Sequence, residues 1–356
     1  MRRKRSKATK VSLAEIAKGA GISKAAVGYA LQNKPGVSKT TRERVFQIAK
    51  KLGYSPDARI ATVMTAVRAS EKKQLLPIAW LNTHSEQNAW EKYKFLSPYL
   101  EGAKIRAVQL GYKLEEFWLY QPGMTMRRMS QILYQRGIDG VIVTQYWKHF
   151  NLNWNYLTGV AIETTLISPG LHTVVSDTFC NFLLAIKMLK RFGYRRIGVC
   201  LDSSVNRRTY HAMGAMVPFL DTAPPKLEHI PPLFYSGEGS GAWKTTQKQL
   251  KPWLHDYRPE VVVGHSSFLV EYIEKAGFSV PKDIGVIHLA TDDDVSDWAG
   301  ICANKREIGA AAVEKTVSQI QQRQVGLPKT PFNILVRGSW SPGRTLLIPK
   351  PKVMLK

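Results

Sequence analysis

The sequence predicts an all-α N-terminal headpiece followed by an α/β body built on parallel sheets. Three observations lead there. The first sixty residues carry three short apolar stripes at helical spacing, each next to a capping or breaking residue. From Leu75 onward, short apolar runs alternate with helical stretches. The charge is also uneven: of 51 Lys/Arg and 27 Asp/Glu, 18 and 4 fall in residues 1–73, which therefore hold more than half of the net +24. A strongly basic module on a milder body favours a polyanionic partner.

The first stripe is Leu13, Ile16, Ala17 and Ala20, with Ser12 and Glu15 spaced as a capping box and Gly21 ending the helix. Ser23 is the expected N-cap of the second helix, whose narrow apolar face is Val27, Ala30 and Leu31. The third repeats the stripe with Val45, Ile48, Ala49 and Leu52. Thr40 and Glu43 form its expected capping box, and Gly53 closes it. Two short helices joined by a tight glycine-containing turn, then a packing helix, spell a helix-turn-helix, with a generic three-helix bundle as the alternative. The basic surroundings favour the former.

In the body, the buried-strand candidates are 77–82, 113–120, 139–145, 159–165, 195–202, 260–266 and 283–290. The length suggests two lobes, the second opening after the break Ser168-Pro169-Gly170. Other classes are weakly supported. The three cysteines, Cys180, Cys200 and Cys302, are far apart and odd in number, which suits free thiols in a reducing compartment. The basic start lacks the apolar core of a signal peptide, and no run approaches a membrane span, so a cytoplasmic protein without a membrane partner is expected. No G-x-S-x-G, G-x-x-x-x-G-K-[ST] or H-E-x-x-H occurs, so no enzyme, metal or cofactor is expected. The acidic run Thr291–Asp297 lacks calcium-loop spacing and reads as a solvated loop.

The stretch VSLAEIAKGAGISKAAVGYALQNKPGVSKTTRERVFQIAKKLGYSPD resembles the DNA-binding headpiece of the LacI/GalR (lactose-repressor type) family of bacterial transcription regulators. LEGAKIRAVQLGYKL, ILYQRGIDGVIV, FGYRRIGVCLD, AGFSVPKDIGVIHLA and REIGAAAVEKTVSQI are similar, in order and spacing, to that family's sensing domain, a two-lobed periplasmic-binding-protein-like fold. The resemblance implies a headpiece with a basic tail over 1–57, a hinge over 58–73 and a sensing and dimerisation domain over 74–356. Its first lobe would take about 74–170 plus 302–330, and its second about 171–301 plus 331–356.

In a helix-turn-helix the second helix lies in the major groove. The resemblance implies that Lys24, Ala25 and Tyr29, beside Gly28, meet base edges. Ser23 and Asn33 would hold phosphates, with Lys10, Lys34, Lys39 and Arg42 as further phosphate partners. Gly28 and Tyr29 stand where the family usually has serine and arginine. Tyrosine cannot make arginine's two bonds to guanine, so a different operator sequence is expected. In the hinge, Val63 or Met64 falls where the family inserts a minor-groove wedge. Asp57 replaces a usual asparagine, and Arg59 and Arg68 could offset its charge.

Ligands of open α/β sheets bind beyond the carboxyl ends of the strands. That selects Thr83, His84, Gln145, Tyr146, Asp177, Asp202, Arg207, Arg208, His265 and Trp298. Arg207 or Arg208 fits the family's ligand-contacting arginine. His265-Ser266 and Ala290 replace its usual Asn-Asp and aspartate, which weakens the expectation of a sugar. The function expected is a homodimeric, sequence-specific regulator, a repressor in direction, on a near-palindromic double-stranded DNA operator with a small-molecule effector, a carbohydrate being the family's usual class. The competing expectations are an effector-independent or activating regulator and, less favoured, a cytoplasmic solute-binding protein.

Overall fold

The computed structural model describes residues 13–31, 36–52, 75–144, 151–163, 170–208, 211–218, 220, 227–236, 243–292 and 294–348. The headpiece holds α1 (Leu13–Ala20), α2 (Lys24–Leu31) and α3 (Lys39–Lys51). Ile16, Ala17 and Ala20 of α1, Val27 and Ala30 of α2, and Val45 and Ala49 of α3 form one buried cluster. These are the stripe positions, since residues three and four apart share a helix face. Gly21 adopts φ 64°, a left-handed conformation that a side chain would strain, and so turns the chain from α1 into α2. Ser23 caps α2, its hydroxyl accepting from the Ala26 N–H at 3.1 Å.

Two headpiece expectations change. The N-cap of α3 is Ser38, whose hydroxyl accepts from the Thr41 N–H at 3.2 Å, so the helix starts before the Thr40–Glu43 pair could cap it. Leu52, expected in the stripe, is 41% exposed because it lies just past the helix end. Ser12 and Gly53 lie outside the described residues.

The body contains two six-stranded sheets. The first is formed by β1 (Leu76–Asn82), β2 (Tyr112–Trp118), β3 (Gly140–Val143), β4 (Thr158–Ile162), β5 (His172–Ser176) and, far along the chain, β11 (Asn333–Val336). Its order is β11-β5-β4-β3-β1-β2, with every pair parallel. The second holds β6 (Ile197–Asp202), β7 (Leu233–Tyr235), β8 (Val261–Gly264), β9 (Gly285–His288), β10 (Gly300–Cys302) and β12 (Ser339–Ser341) in the order β12-β10-β9-β8-β6-β7. There only β12 runs antiparallel to its neighbour.

Each sheet is covered on both faces, so its strands read as continuous apolar runs. Ile78 and Trp80 of β1 pack with α4 (Ser97–Gln109) and α9 (Lys305–Gln321). Ala79 and Leu81 face the other way, against Met129 and Leu133 of α5 (Met126–Gln135). In the second lobe, Val261 and Val263 meet α6 (Thr178–Arg191), whereas Val262 meets α7 (Trp243–Tyr257) and α8 (Leu269–Lys275).

The lobe limits differ from those expected. Strand β5 pairs with β4 and β11 with β5, so both belong to the first sheet. The chain therefore passes between lobes near 177, 303–304 and 337–338, not at 170 and 330. The reason is pairing at a distance: Asn333–Val336 matches Thr173–Ser176 residue for residue, a register no local pattern announces.

The three passages are tied together. The Asp177 N–H donates to the Val336 carbonyl at 2.8 Å, and Asn304 Nδ2 donates to the Arg337 carbonyl at 2.8 Å. The Gly338 N–H donates to Asn181 Oδ1 at 2.7 Å. A Cβ on Gly338 would stand 2.6 Å from the Cys302 carbonyl, so only glycine permits this approach.

Candidate nucleic-acid interface and interlobe cleft

Helix α2 divides its residues cleanly. Val27 and Ala30 are fully buried against α1 and α3, which turns Lys24 and Tyr29 to the exterior. Tyr29 is 50% exposed, a large value for an aromatic on a short helix, and Gly28 beside it is half-buried. Ala25 lies on the first turn of the same helix. Ser23 uses its hydroxyl oxygen as the cap acceptor, which leaves its O–H proton to donate. Lys39 is exposed at the start of α3. Arg42 is half-buried and directs Nη2 at the Val37 carbonyl, 3.5 Å away, so it braces the turn before α3. Lys10, Asn33, Lys34, Arg59, Val63 and Met64 lie outside the described residues.

In the body, the expected ligand residues separate into three groups. Thr83 and Asp177 are engaged in the frame. The Thr83 hydroxyl donates to the Thr144 carbonyl at 2.9 Å and joins the ends of β1 and β3. Asp177 caps α6 by accepting from the Cys180 N–H at 3.1 Å, and it lies 3.6 Å from Arg337 Nε at the crossing. Arg207 is exposed on the short helix Ser203–Arg208, which also carries Arg208. Asp202 holds the start of that helix, accepting from the Ser204 N–H at 2.7 Å. His265 and Trp298 do come together, around a third residue. The buried His288 ring lies 5.2 Å from His265 and 6.0 Å, edge-on, from Trp298. Burial pushes the His288 imidazole down to about 3, so it is neutral near pH 7. Its Nδ1 accepts from the Ala290 N–H at 3.1 Å. Gln145 and Tyr146 lie outside the described residues.

Where the two lobes meet lies a charge cluster that the expectations omit. Lys305, the first residue of α9, is only 5% exposed. Its Nζ donates to the Phe95 carbonyl at 3.2 Å and stands 5.4 and 5.3 Å from the rings of Phe95 and Tyr99. Tyr99 in turn donates its O–H to Glu163 Oε1 at 2.8 Å. Glu163 ends β4 in a left-handed conformation, φ 65°, unusual for a side-chain-bearing residue and a mark of imposed strain. From the second lobe comes Asp292. Its two carboxylate oxygens accept from the Ala303 and Lys305 N–H groups, each at 2.8 Å. Burial lowers Lys305 to about 8 against the pull of Asp292 and Glu163, and burial raises Glu163.

The acidic run after β9 is therefore not wholly a solvated loop, since Asp292 within it anchors a passage between lobes. A glutamate directly after the apolar run Gly159–Ile162 was the one signal that could have drawn attention to Glu163. For Lys305 the sequence offers none, because a lysine opening a helix is ordinarily solvated. Among the described residues no group of three or more His, Cys, Asp or Glu could hold a metal ion, and no helix is long and apolar enough to cross a membrane.

A three-helix headpiece thus precedes two parallel-sheet lobes threaded by three crossings. Residues 12–57 match the family described as bacterial regulatory proteins, lacI family. That match covers the headpiece alone, and residues 12–57 are similar to the DNA-binding headpiece of that family.

Among curated relatives, it is 24% identical over 132 residues to the HTH-type transcriptional regulator MalR of Streptococcus pneumoniae, covering 37% of this chain and 38% of MalR. It is 22% identical over 192 residues to the NTD biosynthesis operon regulator NtdR of Bacillus subtilis, covering 53% of this chain and 54% of NtdR. The matches thus span roughly a third to a half of those relatives. Among solved structures, the transcriptional regulator CelR–cellobiose complex superposes with TM-score 0.57 at 16% identity, covering 94% of this chain and 100% of that one. The lac repressor dimer bound to operator and the anti-inducer ONPF gives 0.54 at 18%, covering 95% and 100%. At such identities the likeness shows the fold.

Proposed function

We propose that the protein is a sequence-specific regulator that binds a near-palindromic DNA operator as a homodimer and represses transcription. The observation that carries this reading is the outward face of α2. With Val27 and Ala30 buried, Lys24 and Tyr29 project where a recognition helix meets the major groove. Lys24, Ala25, Gly28 and Tyr29 form the base-reading surface, and Ser23 and Lys39 the phosphate-holding one. Tyrosine has one hydroxyl and a ring edge suited to a thymine methyl, so the operator carries its own sequence opposite Tyr29.

The body biases this binding. An effector acts only if its affinity differs between the DNA-competent and DNA-incompetent arrangements of the lobes. On the second lobe only His265 of the expected set is partly exposed, with the neutral His288 and Trp298 buried behind it, so any ligand there would meet His265. The CelR structure contains cellobiose and the lac repressor structure an operator, which supports carbohydrate and DNA as the ligand classes here. A second reading is an effector-independent regulator. It is favoured by Lys305, a side chain that already fills the junction between lobes.

Selection of bound fragments from a random DNA pool by the full chain tests the proposal. A palindromic consensus is expected. Recovery of no preferred sequence, with binding abolished by modest salt, would reduce the interaction to charge attraction.

A further inference from the structure

Strand β11 is the outermost strand of the first sheet, and its outer edge is open. The inner edge meets β5: the Thr173 N–H donates to the Phe332 carbonyl at 3.1 Å, and the Asp177 N–H to the Val336 carbonyl at 2.8 Å. Backbone groups alternate in direction along a strand, so those of Asn333 and Leu335 point outward. Among the described residues nothing pairs with them. A row of unpaired N–H and C=O groups is a template for a further strand.

The side chains specify which strand would fit. Ile334 and Val336 pack into the core layer under α9, so Leu335 turns to the opposite face, beside Val175, where it is 57% exposed. Phe332, at the entry to β11, is exposed beneath Lys315 of α9, whose Nζ lies 4.7 Å from the ring. Phe179, two residues past the Asp177 bond to β11, is exposed as well. The charge along this edge is positive. Lys329 and Arg337 flank the strand and are exposed, and the one acid beside them, Asp177, lies 3.6 Å from Arg337. A strand laid against β11 alternates its side chains between the two faces, so it matches the edge with apolar residues beside Leu335 and acidic ones beside Lys315.

We propose that the open edge of β11 docks an extended segment of another protein, with alternating acidic and apolar residues, which adds to the first sheet as a further strand. Charge argues against the occupants that this chain could supply. Its two ends, residues 1–12 and 349–356, hold nine Lys/Arg and no Asp or Glu. A second copy, pairing edge to edge about a two-fold axis, would bring Lys329 and Arg337 close to their own equivalents. The inference goes beyond the function proposed above and does not depend on it.

The test uses the full chain. A random peptide library displayed on phage is selected on the immobilised protein, and the recovered peptide is synthesised and titrated by fluorescence anisotropy. Alternating acidic and apolar residues are expected, and the peptide should slow hydrogen exchange at the Asn333 and Leu335 amides. Leu335→Glu should weaken binding by about tenfold, because it removes the apolar contact and sets a like charge beside the acidic strand. Recovery of no peptide, a peptide without acids, unchanged affinity in Leu335→Glu, or protection confined to another segment overturns the proposal. If circular dichroism shows that Leu335→Glu does not fold, Lys329→Glu decides, with a loss of affinity again expected and unchanged affinity refuting the site. Sedimentation should give the parent and Leu335→Glu the same oligomeric state. A lower state in the variant would assign the edge to a second copy and overturn the proposal.

Discussion

Helices α4 and α9 touch backbone to backbone through two glycines, and this contact makes a sharp prediction for Gly309→Ala. A Cβ built on Gly309 lies 1.9 Å from the Tyr99 carbonyl oxygen and 2.8 Å from its carbon, where real Cβ atoms keep at least 3.0 Å. Its counterpart Gly102 is as tight, 2.0 Å from the Arg306 carbonyl oxygen. The obstacle is main chain in both cases, so no rotamer change relieves it. The helices must part by about 1 Å, which opens the packing of Ile308, Ala312 and Val313 against Tyr99, Leu100 and Ala103. Overpacking of this kind costs about 3 kcal/mol. Replacing a mid-helix glycine returns about 1 kcal/mol. The net loss of about 2 kcal/mol corresponds to a fall of about 3 °C in Tm for a body of this size. Calorimetry on the parent and variant measures it. A Gly309→Ala protein as stable as the parent, or more stable by the helix-propensity gain, would refute the close approach of the two helices.

Three further outcomes are expected. Tyr29→Ala should change the DNA consensus recovered from a random pool, whereas Lys39→Ala should weaken every sequence alike and reduce the salt slope by about 1. Ile16→Ala removes a fully buried side chain from a very small core; it should cost about 2–5 kcal/mol, and the amide spectrum of the headpiece should collapse. Lys305 is lowered in the fold, so between pH 8 and 10.5 the unfolded chain binds more protons than the folded one, and stability rises with pH. The full span is about 3 kcal/mol, read as a rising urea midpoint in the parent that is absent in Lys305→Met.

The headpiece is written in its sequence because its determinants are local. Ile16, Ala17 and Ala20, and Val27 and Ala30, recur at helical spacing, and the same spacing that buries them exposes Lys24 and Tyr29. Caps are less secure. Ser38 and Thr40 are both competent, and only the path of the loop before α3 selects Ser38. In the body, seven strand runs are legible as apolar stretches, but β5, β7 and the three strands after Ala299 are too short or too polar to stand out.

What the sequence determines by itself is thus the class of the fold, the position of the headpiece and the face of α2 that is left exposed. Each follows from side-chain periodicity and charge within a few turns of chain. The tertiary structure alone decided where the chain changes lobe, because β11 chooses β5 as its partner across more than 150 residues. It alone assembled Tyr99, Glu163, Asp292 and Lys305, four residues ordinary in their own segments. Such a cluster exists only where two lobes exclude water from a charge, and that exclusion is a property of packing between distant segments, not of any one of them.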